Sequence, residues 1–343
     1  MMNESINLIM AGRTKRLRRY YLVTSLLASI AIALCCTMLM LGNTIYPASD
    51  VISVLLGEKI KGASFAVGTI RFPRMVAGVL AGFAFGAAGY VFQTMLRNPL
   101  ANPNVIGITA GSSAAAVFCI IVLQASNAFV SIASIIGGLL TVILIFLLSK
   151  GTSFSIGRLI LIGIGIQAML NAVISYLLLI GRQNDIPAAM RWLSGSLNGA
   201  KLDDLYPLML TVLIFAPILI LFGKQLDMLE LGEQAATSLG VDTNRTRLVL
   251  IISSVLMIAL ATAATGPIAF VAFLSGPIAK RLAGAGFSGI IPAGLVGIIL
   301  VLASDLLGQF AFTVRYPAGV ITGILGAPYL IYLLISMNRK GDL

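Results

Sequence analysis

From Leu22 to Leu41 the chain runs twenty residues without a charge, and long apolar stretches recur along almost its whole length. They lie at Pro73–Leu96, Val105–Leu123, Phe129–Ser149, Leu159–Ile180, Tyr206–Phe222, Leu248–Gly266, a short Ala269–Ile278, Ile290–Phe312 and Pro317–Met337. About twenty apolar residues is the length a helix needs to cross the hydrocarbon of a bilayer. In lipid each backbone polar group must be satisfied within the spanning structure, which leaves helices and closed barrels. Barrel strands alternate apolar and polar over about ten residues, and these runs do not. The pattern predicts an all-α integral membrane protein of about ten transmembrane helices.

Composition agrees. Of the 343 residues, 59% are hydrophobic and 10% charged, against about 25% charged in an ordinary soluble domain. There is no His, and the three Cys (Cys35, Cys36, Cys119) sit in apolar runs without metal-ligand spacing. They read as small buried hydrophobes, and zinc, haem and His-based acid–base chemistry are not expected. The net charge of +11 fits cationic residues at cytoplasmic helix ends better than a nucleic-acid partner.

Ten crossings place both termini on one side. The expected organisation is a basic cytoplasmic tail (1–20), one transmembrane domain (21–337) with a cytoplasmic loop at 224–247, and a cytoplasmic tail (338–343). The run Leu22–Leu41 is too long for a signal peptide and reads as a retained helix. On this topology fifteen Lys and Arg lie inside and eight outside, in the sense of the positive-inside rule. Eight is still many for an outer surface, and that excess asks for an explanation.

Five stretches carry candidate function. Arg71–Arg74, "RFPR", sets two cations at the outer mouth of the second helix, where Pro73 suits a first turn. They read as lipid-headgroup anchors or as a dock for an acidic partner through charge-assisted hydrogen bonds. Arg315 joins them only if the fold brings the two mouths together. In "RNPLANPNVIG" (Arg97–Gly107) each Pro disfavours helix at the preceding Asn98 or Asn102. This cytoplasmic turn reads as a well-built loop or as the inner constriction of a pore. In the loop Lys224–Arg247, Leu231–Leu239 forms a short helix ended by Gly240, whose small residues Ala235 and Ala236 suit docking in a partner's groove. "GPIAFVAFLSGPIAKR" (Gly266–Arg281) is a broken helix of the kind tolerated where it lines a cavity or is covered by protein. "YPAGVITGILGAPYLIYLL" (Tyr316–Leu334) opens on Pro317 and is loosened at Gly326–Pro328. Asp305, the acid well inside a span, is read as a structural hydrogen-bonding group rather than a proton relay. The glycines of Ala81–Gly89 suit close helix packing.

Taken in order, "RFPR…G…Q…RNPLANPNVIG", "LELGEQAATSLGV", "GPIAFVAFLSGP" and "PAGVITGILGAPYL" resemble the FecCD-type permeases, the membrane subunits of ABC importers for iron–siderophores, haem and vitamin B12. The resemblance runs from about Thr44 to Leu334 and is most like an iron–siderophore permease of a Gram-positive bacterium, for hydroxamate-type chelates. It implies a dimer of permeases, two ATPase subunits inside and a substrate-binding lipoprotein outside. A heterodimer with a second permease is favoured. On the motif positions it implies that Arg71 and Arg74, with Arg315, receive the binding protein. It also implies that Asn98, Leu100, Ile156 and Gly157 form a cytoplasmic gate. Leu231, Gly232, Glu233, Ala235, Ala236 and Gly240 would form the ATPase coupling helix. Two departures stand out. The family's frequent Pro-His pair is here Ser275-Gly276-Pro277, and its frequent acid before the last helix is Arg315.

The expected function is therefore translocation of a ferric siderophore across the bacterial cytoplasmic membrane, without chemistry in this subunit. No Gly-x-x-x-x-Gly-Lys-Ser/Thr segment is present, so ATP and Mg belong to the partner ATPase and no cofactor is expected here. The rivals are a haem or cobalamin permease and, from another class, an ion-coupled secondary transporter.

Overall fold

The computed structural model describes residues 2–102, 107–149, 156–284 and 286–338. All regular structure among them is helical. The long helices are α1 (Met2–Met40), α3 (Phe72–Met95), α5 (Asn127–Ser149), α6 (Ile156–Ile180), α8 (Leu202–Leu221), α11 (Thr243–Thr265), α13 (Ile290–Phe310) and α14 (Ala318–Asn338). These eight are long and apolar enough to cross a membrane. At the other two of the ten expected crossings stand shorter helices, α4 (Ile108–Ile121), 14 residues, and α12 (Val271–Ala283), 13 residues. Around them lie α2 (Ala48–Leu55), α7 (Ile186–Leu193), α9 (Gly223–Glu230) and α10 (Glu233–Ser238).

Helix α3 is the axis of the bundle: 72% of its apolar window is buried, against 17% for α6. Its glycines explain the position. A Cβ on Gly82 would stand 2.8 Å from the carbonyl oxygen of Gly297, one on Gly86 would strike that of Ala293, and one on Gly89 that of Ala272. The backbones of α13 and α12 thus lie directly on α3, as small residues permit in lipid, where dispersion rather than the hydrophobic effect holds helices together. Helices α1, α6 and α8 are mostly uncovered and face outward.

Several boundaries differ from expectation. The helix of the first crossing begins at Met2, so the basic segment is helical. The second crossing starts early, with a π-helical turn over Ser64–Arg71 that runs into α3. The wider turn (Phe72 N–H to the Val67 carbonyl) admits Pro73, whose ring would clash inside an ordinary α-helix. The expected piece Ala269–Ile278 is α12, which starts at Val271 and continues through Pro277 to Ala283. Helices α2 and α7, eight residues each, are too short for the run-length criterion to find. Of the cysteines, Cys119 is buried and Cys35 half-buried, but Cys36 is exposed on α1, so it packs outward rather than in the core.

Candidate functional site

Because α3 begins at the arginine motif and ends at the Asn-Pro turn, the molecule has a rim face at Arg71 and an elbow face at Arg97. On the rim face the two arginines of "RFPR" do different things. Arg74 turns inward: Nε donates to Asp305 Oδ2 at 2.8 Å and Nη2 to Asp305 Oδ1 at 2.7 Å. Asp305 is fully buried and also accepts from Gln309 at 2.7 Å. The charge of Arg74 is thus matched within the chain, and the structural reading of Asp305 has a named partner.

Arg71 closes the end of α1. It donates to the carbonyls of Leu39 (2.9 Å), Met40 (2.8 Å) and Thr44 (2.7 Å), satisfying groups that a helix terminus leaves open. Its guanidinium lies 5.1 Å from the Tyr46 ring centroid. These partners are neutral, and among the described residues no acid pairs with it. Arg315 is exposed and donates to Asn43 at 2.6 Å. Asn43 and Thr44 are neighbours, so the fold does bring the two mouths together: Arg71 and Arg315 hold adjacent residues of one segment.

At the elbow face Asn98 forms its own turn. Its Oδ1 accepts from the Leu100 N–H at 2.8 Å and its carbonyl from Ala101 N–H at 3.0 Å, the Asx geometry that Asn favours before Pro. Arg97 takes a left-handed φ of 50° to enter it. Asn98 is exposed and Leu100 half-buried. Residues 103–106 lie outside the described residues. Of the other gate candidates, Ile156 opens α6 and Gly157 is exposed beside it; neither is joined to Asn98 by a described contact.

Next to the elbow stands α10. Gly232, before it, has φ 116° and a Cβ there would lie 3.6 Å from Arg97 Nη1. The helix ends as the Gly240 position requires. Gly240 takes φ 83°, its N–H bonds the Thr237 carbonyl at 2.9 Å, and Val241 N–H bonds the Ala236 carbonyl at 3.0 Å, the paired bonds of a Schellman cap. The helix is shorter than the expected Leu231–Leu239 because Leu231 and Gly232 form a turn after α9. Its two alanines part company: Ala236 is buried in the chain's own core and Ala235 is exposed. Outside, Leu231 and Leu239 flank the helix with 67% and 59% of their surface open. Glu233 pairs with Arg247 of α11 at 3.1 Å.

Between the faces lies the broken helix. After α11, Gly266 (φ 70°) and Phe270 (φ 63°) turn the chain into α12. A cavity of about 180 Å³ opens there, lined by Phe85, Ile258, Pro267, Ile268, Phe270 and Phe273 among others. Pro277 has no N–H, which leaves the carbonyl of Phe273, four residues earlier, without its helical donor. Buried Gln93 of α3 supplies it, with Nε2 donating at 2.8 Å. Gly276 makes room, since a Cβ there would strike Gln93 Oε1. So the Ser-Gly-Pro departure is one unit with Gln93.

Sequence reasoning missed a cluster at the elbow end of α12. Lys280 pairs with Glu230 of α9 at 2.7 Å and lies 5.4 Å from the Tyr90 ring centroid. Asp227 belongs to the same cluster: its carboxyl is pushed up to about 6 by burial and by Glu230, against the opposing pull of Lys280 and Tyr90. The partners are fifty residues apart, and only their opposite signs could have hinted at it.

The profile of the FecCD transport family matches residues 30–336. The chain is 35% identical over 327 residues to the ferric enterobactin transport system permease protein FepG of Escherichia coli (strain K12), covering 94% of this chain and 98% of that protein. It is 33% identical over 334 residues to the Fe(3+)-citrate import system permease protein YfmE of Bacillus subtilis (strain 168), covering 96% and 100%. In fold it matches a solved structure described as an inward-facing metal-chelate type ABC transporter, with TM-score 0.82 and 24% identity over 92% of this chain and 100% of the other. A bundle of this architecture, carrying the ordered motifs on its two faces and matched by the profile over nearly its whole length, belongs to the FecCD transport family.

Proposed function

We propose that the chain is the permease subunit of an ATP-driven importer for a ferric siderophore, with its elbow face in the cytoplasm. The observation that carries this reading is α10. It is a capped helix of six residues with two open leucines, Leu231 and Leu239, on a face otherwise rich in charge. Gly232, just before it, faces Arg97 at the head of the Asn98 turn, and this proximity supports reading α10 as the element an ATPase grips. ATP and Mg²⁺ are then used by that partner and not by this chain.

Cargo is inferred from the relatives' names. Those printed for enterobactin, Fe(3+)-citrate and iron(3+)-hydroxamate transport are 35%, 33% and 31% identical. Their chelates share ferric iron but not its ligand chemistry, and the cargo inferred from them is a ferric siderophore, the hydroxamate type among them. A cobalamin import permease from Halobacterium salinarum is 30% identical and supplies the second cargo to test. The rim, where Arg71 and Arg315 pair with no acid among the described residues, suits an acidic binding protein. A second permease has a natural seat on α6, the least covered span, which exposes Asn171 and Ser175. Polar side chains at membrane depth belong against protein or a water-filled path rather than lipid.

The test uses this chain with its genomic-neighbour permease and ATPase in lipid vesicles, with the cognate lipoprotein. ATP hydrolysis and uptake are measured with a panel of ferric siderophores, haem and cobalamin. Uptake of one ferric chelate that requires ATP and survives an ionophore is the expected result. Uptake that persists without ATP and collapses with the ionophore would instead establish an ion-coupled transporter.

A further inference from the structure

Two acids three residues apart hold the two limbs of the broken helix. Glu230, the last residue of α9, pairs with Lys280 in the last turn of α12 at 2.7 Å. Glu233, the first residue of α10, pairs with Arg247 near the start of α11 at 3.1 Å. Between them sit Leu231 and Gly232, the latter in a left-handed conformation. Helices α11 and α12 are the limbs joined by the Gly266–Phe270 break. The cavity there takes Ile258 from one limb, Ala272 and Phe273 from the other, and residues 267–270 from the join.

The Glu230–Lys280 contact is poorly placed to serve stability: its side chains expose 43% and 38%, and ion pairs reached by water add little to folding. In the second pair Glu233 is 57% exposed, whereas Arg247 is largely covered, at 13%. Their geometry suits transmission better. Each acid reaches from a turn with a glycine hinge to a rigid helix whose other end lies at the cavity. Helix α12 is fixed to α3 in its first turn, at Phe273, by Gln93, which gives it a pivot beside the join. Packed helices move between discrete arrangements rather than deforming smoothly.

We propose that Glu230–Lys280 and Glu233–Arg247 are paired struts that carry movement of the α9–α10 turn to the two limbs, which hinge at Gly266–Phe270 and reshape the cavity. Glu230, Lys280, Glu233 and Arg247 are on this account positioning residues, which act on the path through the helices they hold. The proposal rests on the permease reading, in which α10 is the element the ATPase moves.

The complete complex is reconstituted with Glu230→Gln, Glu233→Gln, both together, Glu230→Lys, and the exchange Glu230→Lys/Lys280→Glu. Chelate transported per ATP hydrolysed is measured, with melting temperature and ATPase retention as controls. The expected result is a severalfold fall in transport per ATP for each neutral variant, a larger fall for the two together, and little change in melting for Glu230→Gln, whose pair is open to water. The exchange variant recovers most of what Glu230→Lys loses. Unchanged transport per ATP in the intact double-neutral complex overturns the proposal, and so does an assembled exchange variant no better than Glu230→Lys. If the exchange variant does not assemble, the double-neutral result decides. A parent complex without ATP-driven uptake would overturn the permease reading itself, a separate outcome.

Discussion

Arg74 and Asp305 meet through two parallel hydrogen bonds of 2.8 and 2.7 Å, and the carboxylate between them is fully buried. This joins the start of α3 to the far part of α13. Removing one partner of such a pair leaves an uncompensated buried charge and costs about 3–5 kcal/mol, whereas removing both costs much less. Asp305→Leu and Arg74→Met should each lower the melting temperature of the purified protein strongly, and the double variant should melt above either single. Additive losses would show that the two groups do not act as a pair.

The same pairing separates the rim arginines. Arg315 is exposed, bonds only the Asn43 side chain among the described contacts, and takes no part in core packing. Its reversal should weaken docking of the binding lipoprotein while melting is unchanged. Arg74→Glu should act through folding, since it sets a second acid against Asp305. Lipoprotein affinity in nanodiscs, read beside melting temperature, tests this. Full affinity in Arg315→Glu would remove it from the dock.

How far these relationships could be read in the sequence depended on their range. The spans were legible because lipid forbids unsatisfied backbone and so dictates run length. Gly240 was legible because a left-handed cap has a one-residue signature. Asp305 was marked as a hydrogen-bonding group, but its partner lies 231 residues away in sequence. Pro277 looked like the end of the short piece, whereas α12 runs through it because Gln93, distant in the chain, replaces the missing donor. The inward turn of Ala236 was not foreseeable, since six residues of helix are too few for periodicity to fix a face.

The Gln93 clamp makes its own prediction. Gln93→Leu removes the donor and leaves the buried Phe273 carbonyl unsatisfied, a loss of about 1–3 kcal/mol. Gly276→Ala sets a methyl against the Gln93 amide and should also destabilise. In combination, Gly276→Ala should cost less in the Gln93→Ala background than in the parent, because the colliding amide is gone. Melting of the four proteins forms a double-mutant cycle. A zero coupling energy would mean that α12 does not lean on Gln93.

Asp227 supplies the pH dependence. Its carboxyl, on α9 outside the spans, is raised to about 6, first by burial and then by Glu230, from an ordinary value of about 3.9. The folded protein therefore holds this proton more tightly than the unfolded chain does. Linkage then makes stability fall as pH rises from about 4 to about 6, with a constant penalty above that. Asp227→Asn keeps the size of the side chain and removes the charge. It should melt higher than the parent at pH 7.5, by a margin that grows between pH 4 and 6 and is level from there to pH 8. Melting curves of both proteins in one detergent across that range decide it. A margin that shrinks as pH rises would show that the charged form of Asp227 is the one the fold prefers, held by Lys280 rather than penalised by burial.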